Sequence, residues 1–278
     1  MPLVRKRTRS YDPAKIRAAV LAQFGQVREA VRTLTPQQLD APSGLGDWAV
    51  RDLAVHLALA LNAVVRGVEL PEPFAREVAL QDWPFATERY AEDIARDARS
   101  LSGTVSRETS GSPEPAVGAE ELDLLFESIA GAAAALLPAA PDERLIATRT
   151  GAMTLADYMV TRCVELVVHT DDLNRATGLD VPLDRQALAA CTRLLADALA
   201  TKAPGAATEV RVPPYAVVQC IEGPRHTRGT PPNVVETDPL TWIRLATGRT
   251  DWSTALDEAR VSASGERADL SAELPILG

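Results

Sequence analysis

Histidine and cysteine are scarce in this chain, with three of each among 278 residues. The cysteines, Cys163, Cys191 and Cys220, are odd in number, scattered, and set among apolar or strand-forming neighbours. That argues against a disulfide framework and for thiols serving as small core residues in a reducing, cytoplasmic setting. Excess basic charge is missing as well. A formal net charge of -9 argues against a general nucleic-acid binder, because neutralising phosphates requires clustered Lys and Arg. The one basic cluster, "VRKRTR" at residues 4–9, is short and terminal and reads as a solvated leader. No apolar run approaches the roughly 18–20 residues that span a bilayer, and the N-terminus lacks the apolar stretch of a secretory signal. The expected partner is therefore a small molecule rather than nucleic acid or membrane, and nothing in the sequence specifies an oligomeric state.

The chain is nonetheless 46% hydrophobic, enough for one large domain or two ordinary ones. Asp12-Pro13 opens a helix as cap and first-turn proline, and Ile16, Val20, Phe24, Val27, Val31 and Leu34 then recur at helical spacing. The same reasoning predicts helices over about 50–66 (Leu53, Leu57, Ala60 and Val64 inward), 88–101 (Tyr90, Ile94 and Leu101 inward) and 120–137. Two more are predicted, over 154–178 and 184–200; the first opens on Thr154 with Asp157 as the return half of a capping box. The Ser/Gly/Pro-rich stretch 102–118 reads as a mobile loop. Residues 1–200 are thus expected to be all-α with no strand, and "TKAPGAA" (201–207) to be a linker. Beyond it, "TEVRVPPYAVVQCIEG" reads as strand interrupted by Pro213-Pro214, 238–248 and 251–259 as short helices, and 260–270 as strand and turn. A small α+β domain over 208–278 is expected.

Within the fifth helix, Tyr158, Arg162, Glu165, His169 and Asp172 follow one another at spacings of four, three, four and three, so they share one face. The stripe either meets water or lines an interior, where ionisable groups require partners or a metal. Glu165 and His169 lie one turn apart and can converge on one ion, a donor pair suited to Zn²⁺ and similar metals. His56, on the second helix beside its inward face, is either a satisfied core histidine or the third ligand of a His₂Glu set.

"GLGDWAVRDLAVHLA" resembles the W-(S/T)-V-R-D-L-x-x-H-L segment of DinB-like metal-binding helical bundles. "ELVVHTDDL" is similar to the E-x-x-x-H-x-x-D-L segment of their mycothiol-dependent maleylpyruvate isomerase branch. The resemblance implies a DinB-like four-helix bundle with extra helices over roughly residues 1–200. It also implies a divalent metal, usually zinc, held by His56, Glu165 and His169, with mycothiol, the low-molecular-weight thiol of actinobacteria, as cosubstrate. "DPLTWIRLATGRTDWSTALDEARVSASGERADLSAELPIL" resembles the sterol-carrier-like domain that follows the bundle in that family, with Ala259-Arg260 where a glycine often precedes the strand.

Such a metal would lower the pKa of a thiol or water at its open position. The leading expectation is a thiol-dependent isomerase or S-transferase acting on an electrophilic small molecule. The alternatives are a binding protein for an apolar ligand with a structural or vestigial metal, a metal hydrolase, and a scaffold without catalysis. Asp172 and Asp52, one turn from His169 and His56, are candidate acceptors for imidazole N–H groups or candidate bases, with exposed helix charges as the plain alternative. Arg162 either pairs with Glu165 or meets an anionic substrate. Arg225, His226 and Arg228, in "IEGPRHTRGTPPN", either bind carboxylates of substrate or thiol or belong to a plain surface loop.

Overall fold

The computed structural model describes residues 9–103, 117–223 and 231–277. Most of the expected loop 102–118, and Arg225, His226 and Arg228 with it, lie outside the described residues.

Helix α1 (Pro13–Val31) starts where Asp12 accepts from the Ala14 and Lys15 amides, satisfying donors that the first turn leaves open. Its predicted apolar positions are all buried, although Leu34 packs from the turn after the helix. After the short α2 (Pro36–Asp40) comes α3 (Val50–Glu69), three residues longer than predicted and buried on almost every side through its first three turns. A short α4 (Trp83–Ala86) and α5 (Ala91–Ser102) follow. In α5, Ala98 is buried while Leu101, expected inward, is 56% exposed: the helix borders a cavity there instead of a packed neighbour.

Helix α6 (Ala119–Leu136) packs Leu122, Phe126, Ile129 and Ala133 inward, with the Phe126 ring 4.8 Å from that of Phe24. With its extension to Ala139 it has a mean hydropathy of 1.5, which by length and composition alone would suffice to cross a membrane. This corrects the expectation of no such stretch; small alanines raise the mean without forming a run of large apolar side chains. Residues 145–146 and 153–154 then pair as the antiparallel strands β1 and β2, against the prediction of no strand before residue 200. Two-residue strands are too short to show alternation.

Helix α7 (Leu155–Thr177) is capped by Thr154, which accepts from the Asp157 amide; the Asp157 carboxylate pairs with Arg76 instead of closing the expected box. Gly178, at φ 73°, ends it in the left-handed conformation that glycine adopts without steric cost. Helix α7 packs against α1, α3 and α8 (Arg185–Lys202), and α3 packs against α5 and α6.

Strands β3 (Thr208–Val212) and β4 (Ala216–Cys220) form an antiparallel hairpin whose turn contains Pro213-Pro214, where strand had been predicted to break. Strand β5 (Val234–Thr237) runs parallel to β3, and β6 (Val261–Ser264) antiparallel to β5, giving the order β4-β3-β5-β6. Between β5 and β6 lie α9 (Pro239–Ala246) and α10 (Trp252–Asp257). Helix α8 joins the two parts of the chain. One side packs on α1 and α7, the other on β4 and α9, where the Trp242 indole donates to the Thr192 carbonyl at 3.3 Å.

Candidate metal centre

The polar stripe of α7 faces inward. Tyr158, Arg162 and Asp172 are buried, and Glu165 and His169 are nearly so. Helix α3 brings His56 to the same place from across the interior. Its Nε2 lies 3.2 Å from Glu165 Oε2, and His169 Nε2 lies 3.5 Å from that same oxygen. One ligand atom from each of the three residues falls within 4.8 Å of the others. Around a tetrahedral ion with bonds of roughly 2.0–2.2 Å, ligand atoms stand about 3.3–3.6 Å apart. Two imidazoles and a carboxylate at these separations fit a divalent ion such as zinc and leave it an open coordination position.

His169 is held from behind: its Nδ1 lies 2.9 Å from Asp172 Oδ2. An Nδ1–H donated to that carboxylate leaves the Nε2 lone pair facing Glu165 and His56. Asp172 therefore takes the acceptor role considered for it. Asp52 does not sit in the corresponding place behind His56. Its carboxylate accepts from the Ala49 amide at 2.8 Å and from the Ser102 hydroxyl, closing the N-terminus of α3. An aspartate at the third helical position serves the open amides of the first turn better than it serves a side chain one turn on.

The environment polarises these groups unequally. Burial alone would raise the Glu165 carboxyl, yet hydrogen bonds from His169 and His56 and the nearby Arg162 charge hold it well below the usual carboxylate range. Burial pushes His56 down, only partly offset by Glu165. Burial pushes His169 the same way, but Asp172 and Glu165 outweigh it and its pKa is raised. Asp172 is 2% exposed, and despite that burial its bonds to His169 and Arg249 hold it far below the ordinary range.

Arg162 lies beside the centre with its guanidinium 4.3 Å from the Tyr158 ring centroid, donating to Thr161 Oγ1 and standing 3.7 Å from Glu165. Two cavities meet at His56 and Glu165. The larger, about 530 Å³, is walled by apolar groups such as Trp83, Ile94 and Leu101 and carries Arg66, Arg149 and Arg162. The smaller, about 220 Å³, is lined by Trp48, Val164, Val168 and His169, and by Arg249 and Leu277 from the far end of the chain. Arg249 had no place in the reading of the residues beyond belonging to "LATGR". A buried Asp172 demanding a cation was the available signal, but which cation answers it is a tertiary fact.

The family described as "Mycothiol maleylpyruvate isomerase N-terminal domain" matches residues 20–174, and "Bacterial SCP ortholog" matches residues 184–276. Among solved structures, the crystal structure of the mycothiol-dependent maleylpyruvate isomerase is similar at a TM-score of 0.59 and 14% identity, covering 93% of this chain and 95% of that one. A histidine-to-alanine mutant of that isomerase gives a TM-score of 0.57 at 12% identity over the same shares. At such identity the likeness is one of fold. No curated protein sequence matches the chain. The first match spans more than half of the chain and the second follows it directly, so the chain belongs to the mycothiol-dependent maleylpyruvate isomerase family, with a C-terminal SCP-like domain.

Proposed function

We propose that this protein is a metal-dependent enzyme that uses a low-molecular-weight thiol, mycothiol, to isomerise or conjugate an electrophilic small molecule. The observation that carries the reading is the convergence of His56 Nε2, Glu165 Oε2 and His169 Nε2 on one point where two cavities meet. On this reading α1, α3, α6 and α7 are the four helices of a DinB-like bundle, and the chain divides within residues 201–207 into bundle and sterol-carrier-like domain.

Zinc bound by these three residues would hold a thiol as thiolate, ready to add to an electrophilic carbon. The residues around it supply the rest. With both imidazoles neutral, the carboxylates of Glu165 and Asp172 are balanced by the guanidiniums of Arg162 and Arg249. A divalent ion added to this balanced set leaves two positive charges uncompensated in a largely desolvated place, which favours an anionic ligand over a neutral one. Arg162, stacked on Tyr158 and facing the larger cavity, fits an anionic group of the electrophile there. The apolar walls exclude water that would otherwise compete with the thiol.

Calorimetric titration of mycothiol into zinc-loaded and metal-free protein tests the reading. Binding that requires the metal is expected. Equal responses from the two forms would contradict ligation of the sulfur at this site.

A further inference from the structure

We propose that Arg249 is a positioning residue for the metal centre: by anchoring Asp172 it fixes the tautomer and tilt of the His169 ring, so that the C-terminal domain sets how tightly the ligands on α7 hold an ion. The inference rests on the metal reading of the site and adds a residue from the other domain to it.

Arg249 follows α9 and is itself held in place. Its amide donates to the Arg244 carbonyl at 2.7 Å, and its Nη1 donates to the Thr247 carbonyl at 2.8 Å. From there Nε and Nη2 reach the two oxygens of Asp172 at 3.2 and 2.8 Å. The oxygen that takes the shorter bond is Oδ2, the one that faces His169 Nδ1. One buried carboxylate is thus shared between a guanidinium of the C-terminal domain and a ligand imidazole of the helical domain. A carboxylate this buried requires a well-placed cation. The other cation near it, Arg175, is 3.9 Å away and half exposed, which is a poor substitute. Deprived of Arg249, the carboxylate would turn toward Arg175 and solvent and withdraw from His169, leaving the ring free to rotate or to change tautomer.

The neighbouring residue supplies an internal control. Asp171 pairs with Arg244 at 2.8 and 2.6 Å, a two-bond ion pair that joins the same two domains. One residue along an α-helix is about 100° around its axis, and the structure gives Asp171 no contact with His169. Losing Arg244 removes an equivalent link between the domains but leaves the ligand alone.

The test is a titration of metal-free, full-length protein with Co²⁺, read from its visible absorption bands, and with Zn²⁺ against a competing chelator. Asp172→Asn should weaken binding by about 10- to 100-fold, the usual cost of losing a partner behind a ligand. Arg249→Ala should fall near the lower end of that range and shift the Co²⁺ bands, and Arg249→Lys should fall between it and the native protein. Arg244→Ala should leave both affinity and bands unchanged, and Arg249→Ala should add nothing once Asp172 is Asn. If Arg249→Ala fails to fold, Arg249→Lys and Arg249→Gln carry the same comparison. Native protein that binds the ion while Arg249 and Arg244 variants behave alike overturns this inference and spares the metal reading. Native protein that binds no ion overturns both.

Discussion

His56 Nε2 and Glu165 Oε2 stand 3.2 Å apart although 109 residues separate them along the chain. Neither helix alone makes a binding site: α7 offers two donors one turn apart, and α3 completes the set only because the two helices pack face to face.

Metal retention should follow that geometry. Native protein purified without added metal should carry close to one divalent ion per chain. His169→Ala, His56→Ala and Glu165→Gln should each lose it on dialysis, because two ligands hold zinc weakly. His226→Ala, a change outside the described residues, should keep it. Elemental analysis decides, and retention by His169→Ala with loss by His226→Ala would mean a different ligand set.

Arg162 separates charged from neutral substrates. A hydrogen bond between charged groups contributes about 1.5–3 kcal/mol, so Arg162→Ala should lower kcat/KM for a carboxylate-bearing electrophile by roughly 10- to 100-fold. A neutral electrophile of the same size should lose much less. Parallel losses for both would assign Arg162 to holding Glu165 rather than to the substrate.

Acid sensitivity should trace to Asp172. Its folded pKa lies below its ordinary value of 3.8, so its contribution to stability is complete above that value and is lost as pH falls toward the folded one. Asp172→Asn should flatten the acid limb of stability measured in urea. In metal-free protein His169 acts in the opposite sense. Its pKa is raised above the ordinary 6.5, so its contribution is complete below 6.5 and disappears as pH rises through the raised value. Metal-free native protein should therefore lose stability across that upper window, and His169→Ala should lose less. A native curve that is flat there would contradict the raised value.

The packing of α6 depends on Phe126, fully buried with its ring against Phe24. Phe126→Ala should cost about 3–5 kcal/mol, through lost transfer energy and the cavity left behind. Urea unfolding monitored by circular dichroism measures it. A cost near that of a surface substitution would show that α6 is not part of the cooperative core.

The long helices were legible because their signals are local. Aspartate and threonine caps at Asp12 and Thr154, the closing Gly178, and apolar residues at helical spacing depend on neighbours within a turn or two. The pairing of β1 with β2 and the half-formed cap at Asp157 were not legible. A two-residue strand carries no period, and the Asp157 carboxylate was claimed by Arg76, 81 residues away. Asp52 was misassigned for a related reason: side chains at its position can serve either the helix end or the next turn, and local sequence does not choose.

The sequence by itself determined that Glu165, His169 and Asp172 share one stripe of one helix, because 3.6 residues per turn is a property of the backbone. Only the tertiary structure decided that this stripe points inward, that His56 meets it, and that Asp172 is answered by Arg249. Those outcomes depend on which helix faces pack and how the second domain docks, contacts between residues far apart in the chain that no local period encodes.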